Sequence, residues 1–216
     1  MRVVITGANR GIGLELARLS LARGDEVVSA CRVDEGTGVG EVVEGVDVTT
    51  EEGVSALESA LGESAIDLLI NNAGLLHRVG LGELDWESIR RQMEVNAYGP
   101  LRVTQRLLPR LRRGSKVAIV TSRMGSIADN TSGSHYGYRM SKAAVNMAGA
   151  SLSRDLAPRG IAVCLLHPGY VTTRMTGFHG NWGAEDAARG LLDRIDELTL
   201  ATSGGFWHAE GQRLPW

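Results

Sequence analysis

Short runs of β-branched and aliphatic residues alternate along the chain with longer segments whose apolar positions recur every three or four residues. Val3-Val4-Ile5 predicts a first strand, and a helix is expected from about Ile12 to Arg23. That helix would face inward through Ile12, Leu16, Leu19 and Ala22 and stop at Gly24. Further strands are predicted at Val27–Cys31, Val46–Val48, Asp67–Ile70, Val117–Val120, Ile161–Leu166 and Gly205–His208. Between them, a Thr49…Glu52 capping box opens a helix that closes at Gly62. Asp85 caps another helix running towards Asn96, and Pro100 marks the start of a second. A long helix is expected from about Tyr138 to Ala157, ended by Pro158. Strand–helix alternation of this kind predicts an α/β fold in three layers, a doubly wound parallel sheet of about seven strands with helices on both faces. No Pro/Ser-rich linker, repeat or low-complexity stretch interrupts it, so residues 1–216 are expected to form one domain.

Composition narrows the class without naming a function. Hydrophobic residues make up 43% and charged residues 22%, as in an ordinary globular protein. The net charge of -2 offers no general attraction for nucleic acid or anionic lipid. Arg102, Arg106, Arg110, Arg112, Arg113 and Lys116 form a basic cluster, read as a solvated face. Cys31 and Cys164 fall inside strand-like runs and read as reduced core residues. His77, His179 and His208 lack ligand spacing, so no metal site is expected. With a strand starting at Arg2 and no apolar run long enough to cross a bilayer, a cytoplasmic protein is expected.

Candidate chemistry begins at Thr6-Gly7-Ala8-Asn9-Arg10-Gly11-Ile12-Gly13, between the first strand and its helix. Glycines there allow a tight turn and close approach to a pyrophosphate, and the helix N-terminus supplies free N–H groups. The context predicts a Rossmann-type dinucleotide site. Arg10 in the turn and Arg32 after the second strand could clamp a 2′-phosphate, which favours NADP(H). The alternative is that Asp34 or Glu35 takes the ribose hydroxyls, which leaves NAD(H) open. Asp47, with Val48 beside it at the end of the predicted third strand, either meets the adenine edge or caps the next helix.

Tyr138 and Lys142 lie four residues apart on one helix face, where an ammonium would lower the phenol pKa. Ser122 follows strand five, Asn71-Asn72-Ala73-Gly74 follows strand four, and Pro168-Gly169-Tyr170-Val171-Thr172-Thr173 follows strand six. All sit at the sheet edge where open α/β folds bind ligands. These motifs, in this order, closely resemble the short-chain dehydrogenase/reductase family over nearly the whole chain. The resemblance implies that Tyr138 is the acid/base, that Lys142 holds the ribose and tunes the phenol, and that Ser122 polarises the carbonyl. It also implies that Asn96 anchors a relay water, that Asn72, Ala73 and Gly74 line the cofactor, and that Val171 and Thr173 bind the carboxamide.

The segments around Thr121–Ile127 and Asn130–Gly133, and the ending from Ser203 to Trp216, resemble the sniffer-type carbonyl reductases and C-factor-like proteins. In that branch a basic residue at the position of Arg10 goes with NADP(H). The implied activity is hydride transfer between a nicotinamide and a small carbonyl or alcohol substrate. The second possibility is a dinucleotide-binding regulatory protein of C-factor type. The family's helical interface implies a homodimer or homotetramer. The segment between Thr173 and Ala184 is short where the family carries a substrate lid, which suggests an open pocket. Tyr170, Met175, Phe178, Ile127 and Trp182 are candidates for its wall, or else ordinary packing. His167 reads as a hydrogen-bonded structural histidine, His135 as either pocket lining or loop, and Phe206, Trp207 and Trp216 as docked aromatics.

Overall fold

The computed structural model describes all 216 residues. Seven strands form one wholly parallel sheet in the order β3-β2-β1-β4-β5-β6-β7. They are β1 (Arg2–Thr6), β2 (Glu26–Ala30), β3 (Glu41–Val43), β4 (Ile66–Asn71), β5 (Leu111–Val120), β6 (Ala162–His167) and β7 (Gly205–His208). The order reverses between β1 and β4, which opens a crevice at the carboxyl ends of these two strands.

Helices α2 (Glu51–Leu61), α4 (Gly99–Leu107) and α5 (Tyr136–Leu156) cover one face of the sheet. Their Val54, Leu57, Val103, Leu107, Val145 and Leu156 are buried against Val4, Val28, Leu69, Val117 and Val163. Helices α1 (Gly11–Ala22) and α6 (Ala184–Asp196) cover the other. There Leu16, Ala17, Leu191 and Ile195 meet Val3, Ile5, Leu68, Ala118 and Cys164. Strand residues alternate between these two cores, as the pleat requires. This is the three-layer Rossmann arrangement expected from the sequence. No helix is long and apolar enough to cross a membrane.

Several elements differ from expectation. The third strand is Glu41–Val43, and Val46–Val48 is the loop behind it. Gly45, at φ 74°, turns the chain out of the sheet, yet Val46 and Val48 remain buried. Burial of a loop therefore produced the strand-like pattern there. The cap of α2 is Thr50, whose hydroxyl accepts from the Gly53 N–H, while Thr49 is turned to Asp47. Helix α6 was not anticipated; its buried face is Ala187, Ala188, Leu191, Leu192 and Ile195, diluted by charged neighbours.

Asp85 does cap α3 (Trp86–Met93), accepting from Ser88 N–H. A single wide π turn over Glu94–Tyr98 then joins α3 to α4, with Pro100 in the first turn of α4. The basic cluster is partly paired instead of merely solvated. Arg106 meets Glu51 at 2.6 Å and Glu58 at 3.4 Å, and Arg102 donates to the Val48 carbonyl at 2.9 Å. Lys116 binds the carbonyls of Ile195 and Asp196, capping the C-terminal end of α6. Phe206 is buried and stacks on Trp216, whose carbonyl accepts from Ala128 N–H and the Ser126 hydroxyl.

Close packing at the first turn yields a direct test. A Cβ on Gly13 would collide with the Gly7 carbonyl and the Asn72 amide. Gly13→Ala should therefore lower stability by about 1–3 kcal/mol and weaken dinucleotide binding, measured by urea unfolding and cofactor fluorescence.

Candidate active site

The crevice is assembled from the carboxyl ends of β1, β4, β5 and β6. In the β1–α1 turn, Gly7 (φ 66°) and Gly11 (φ 54°) adopt the left-handed conformation that glycine tolerates. Arg10, at the N-cap of α1, is extended and makes no capping hydrogen bond with its side chain. The first N–H groups of α1 are thus available to an anion, with the helix dipole behind them. Asn9 ties this turn to the loop after β2, donating to the Val33 carbonyl at 2.7 Å, while Thr37 donates to the Asn9 carbonyl.

That loop also bears on the choice of dinucleotide. Arg10 and Arg32 are exposed, and neither has a carboxylate within 4.0 Å. The Asp34 carboxylate is occupied by the Thr37 and Gly38 N–H groups, and Glu35 faces Arg174 at 3.8 Å. Asp34 thus accepts through Oδ1 alone, and the guanidinium groups of Arg10 and Arg32 carry no ion pair. Asp47 lies in the loop after β3 and accepts from both the N–H and the hydroxyl of Thr49. These bonds, with Arg32 and Arg102 nearby, hold its carboxyl below the ordinary value against the effect of burial. Val48 beside it is buried against Gly99.

The end of β4 is fastened to the turn. Asn72 donates its side-chain amide to the carbonyls of Thr6 and Gly7, both at 3.0 Å. The Thr6 hydroxyl accepts from the N–H groups of Asn72 (3.1 Å) and Ala73 (3.2 Å). Thr6 opens the glycine motif in the sequence, and the structure adds the fastening role of its hydroxyl. Ala73 packs within 3.0 Å of the position a Cβ on Gly7 would take, and Gly74 faces Met175 and Asn96.

Asn96 sits in the π turn and is 1% exposed. Its amide is committed to protein partners: it accepts from Leu75 N–H, and donates to the Leu75 carbonyl and the Ser141 hydroxyl. The side chain thereby ties the segment after β4 to α5. A wide turn at a functional position is a recurrent use of π geometry.

Ser122, Tyr138 and Lys142 come together beyond β5, all buried. Lys142 Nζ donates to the Val120 carbonyl at 3.0 Å and lies 5.8 Å from the centre of the Tyr138 ring. The Ser122 hydroxyl accepts from Met124 N–H and also acts on the Tyr138 phenol. Here the electrostatic expectation is corrected. Burial pushes the phenol up to about 12, against the lowering effects of the Ser122 hydrogen bond and Arg78. The Lys142 ammonium is turned to the Val120 carbonyl and is itself brought down to about 8 by burial. Desolvation outweighs the neighbouring charge.

At the end of β6, Pro168 is buried and Gly169 (φ 89°) lies against His208 and Trp182. Val171 is buried and bridges to Trp182, and Thr176 donates to its carbonyl at 2.7 Å. The Thr173 methyl group lies 3.5 Å from the position of a Cβ on Gly11, so this segment reaches the first turn. His167 departs from expectation, since its Nδ1 is buried without a hydrogen-bond partner. Burial, together with His208 and the cations Arg123 and Lys142, brings His167 down to about 3 and keeps it neutral. Of the proposed wall residues, Ile127, Tyr170, Met175 and Phe178 are exposed, and only Trp182 packs inward.

A family model described as short chain dehydrogenase matches residues 1–183. A dehydrogenase from Rhodococcus sp. (strain AD45), named for 1-hydroxy-2-glutathionyl-2-methyl-3-butene, is 45% identical over 99% of both chains. The C-signal of Myxococcus xanthus is 50% identical over 70% of this chain and 93% of its own. Among solved structures, an NADPH-bound carbonyl reductase from chicken fatty liver superimposes with a TM-score of 0.89 at 28% identity. That match covers 100% of this chain and 98% of the reductase. The chain belongs to the short-chain dehydrogenase family and is an oxidoreductase of that family.

Proposed function

We propose that residues 1–216 act as one domain that reduces a small carbonyl substrate at the expense of NADPH, with Tyr138 as the proton donor. The buried Ser122–Tyr138–Lys142 group next to the glycine turn carries this reading. When bound, the nicotinamide supplies the hydride. Gly7, Asn9, Gly11, Ile12 and Gly13 would hold the pyrophosphate, with Arg10 and Arg32 on the 2′-phosphate and Asp47 and Val48 at the adenine. Asn72, Ala73, Gly74, Pro168, Gly169, Val171 and Thr173 would line the nicotinamide end. Lys142 has two N–H groups beyond the one given to Val120, and these suit ribose hydroxyls.

The protonated phenol is the form that reduction requires, its conjugate base serves the reverse reaction, and the reductive direction is proposed on the likeness to carbonyl reductases. Tyr138 Oη would release its proton to the carbonyl oxygen while the Ser122 hydroxyl donates a hydrogen bond to the same atom. The Lys142 ammonium would then stabilise the phenolate left behind. Asn96 acts at one remove, by fixing Leu75 and Ser141 around the site. The exposed Leu101 on α4, and Met140 and Met147 on α5, provide an apolar face for a homodimer or homotetramer. The resemblance to C-signal supports a second reading, a dinucleotide-binding regulator in which turnover is not the function.

Tyr138→Phe separates the two readings. It should cut kcat by at least about 100-fold while NADPH affinity holds; unchanged turnover of a ketone and aldehyde panel would contradict the acid role. Wild-type kcat/KM for reduction should be level around neutrality and fall as pH rises through about 8, where Lys142 gives up its proton. A limb near pH 6.5 would instead implicate a histidine. Cofactor choice is tested separately. Arg32→Asp should weaken NADPH binding by about 10-fold or more and leave NADH binding much less affected; equal losses would refute the clamp.

A further inference from the structure

Beside the start of the helix that carries Tyr138, one more cation has no partner, although the backbone on either side of it is held. Arg78 lies in the segment that follows Gly74, between two residues whose positions are held by different helices. On one side, His77 donates its N–H to Gln92 Oε1 at 3.0 Å, and its ring Nδ1 meets the Ser88 hydroxyl. On the other, the Val79 carbonyl accepts from His135 N–H at 3.0 Å and from the Ser134 hydroxyl at 3.3 Å. Gln92 and Ser88 belong to α3, while Ser134 and His135 lead directly into α5 and Tyr138. Ser134 (φ 59°) and His135 (φ 52°) both hold the left-handed conformation, a costly arrangement kept by this contact. The backbone of Arg78 is thus clamped between the two helices that border the catalytic phenol.

Its charge reaches the reacting group. The Arg78 guanidinium acts through space on both Tyr138 and His135. Apart from Arg10 and Arg32 at the glycine turn, the other arginines near this edge are engaged. Arg123 pairs with Asp129 at 2.6 Å, and Arg174 faces Glu35. Arg139 donates to the Gly133 and Met124 carbonyls and to the Ser132 hydroxyl. Arg78 is exposed and has neither a carboxylate within 4.0 Å nor a hydrogen-bond acceptor.

We infer that Arg78 is a specificity residue, and that the substrate of the proposed carbonyl reduction carries a carboxylate at the end remote from its carbonyl. The inference rests on the oxidoreductase reading of Tyr138 given above. Ile127, Tyr170 and Phe178, exposed on the segments that follow β5 and β6, offer apolar surface for the body of such a molecule but cannot orient it. An always-charged planar donor at a fixed backbone position can, because it forms paired hydrogen bonds with a carboxylate.

The test compares matched pairs of substrates at low ionic strength with saturating NADPH. The pairs are 4-carboxybenzaldehyde against methyl 4-formylbenzoate, and 4-oxopentanoate against its methyl ester. The readout is the ratio of kcat/KM values within each pair, so loss of folded protein or a change at Tyr138 cancels. In the wild type the acid should exceed the ester by about tenfold in at least one pair. Added salt should reduce that ratio. Arg78→Gln should bring it close to one, and Arg78→Lys should restore part of it. Equal use of acid and ester by the wild type, or a ratio unmoved by Arg78→Gln, overturns the inference and leaves carbonyl reduction standing. Failure to turn over either member of any pair, or any compound of the wider ketone and aldehyde panel, refutes the proposed function and the inference with it.

Discussion

Everything at the sheet edge depends on the clamp between the ends of β1 and β4. Parallel strands finish side by side, but nothing in the ladder itself fixes the loops that leave them. Here one asparagine amide spans the carbonyls of Thr6 and Gly7, and one threonine hydroxyl receives the N–H groups of Asn72 and Ala73. Four otherwise loose backbone groups are satisfied at the point where strand order reverses. Gly13 must lack a side chain because that amide and the Gly7 carbonyl already fill its space. Similar fastenings then run outward: Asn96 to Leu75, Gln92 to His77, and His135 to Val79. The rim is one hydrogen-bonded unit, and the groups on it inherit its rigidity.

Burial behind that rim sets the electrostatics. Tyr138 and Lys142 share a helix face, yet the ammonium turns away to the Val120 carbonyl and both groups are driven towards their neutral forms. The outer rim works in the opposite way, since exposed guanidinium groups keep their charge whatever surrounds them. Which of them can serve a ligand is decided by which carboxylates are already in use. Asp34 Oδ1 accepts from its own turn and Glu35 faces Arg174 at 3.8 Å, while Arg10 and Arg32 beside the glycine turn have no carboxylate within 4.0 Å.

Local signals in the sequence are legible where one physical cause acts alone. The glycine turn, the Asp85 cap and Pro100 each follow from backbone chemistry that tolerates few alternatives, and β7 lies where its apolar run places it. Where two causes give the same pattern, the reading failed. Val46 and Val48 are apolar because their loop is buried, and not because they pair in a strand. Helix α6 hides an alanine-rich inner face among charged residues, so its periodicity is faint, although Ala187, Leu191 and Ile195 mark it in retrospect. Adjacent threonines made the cap of α2 ambiguous by one residue. The candidate site residues follow from the resemblance that the ordered motifs carry, but the direction of the Tyr138 shift does not. Spacing says which groups are near each other, and only packing says how much water they have lost.

The central claim is that Tyr138 is a buried, neutral phenol ready to donate a proton. Its ring carbon Cζ can be followed directly by carbon-13 NMR, with tyrosine labelled and Tyr138 assigned through Tyr138→Phe. In the protein without added cofactor, the Tyr138 signal should stay at its protonated position from pH 6 through about pH 10. A titration of that signal with its midpoint near neutrality would contradict the account.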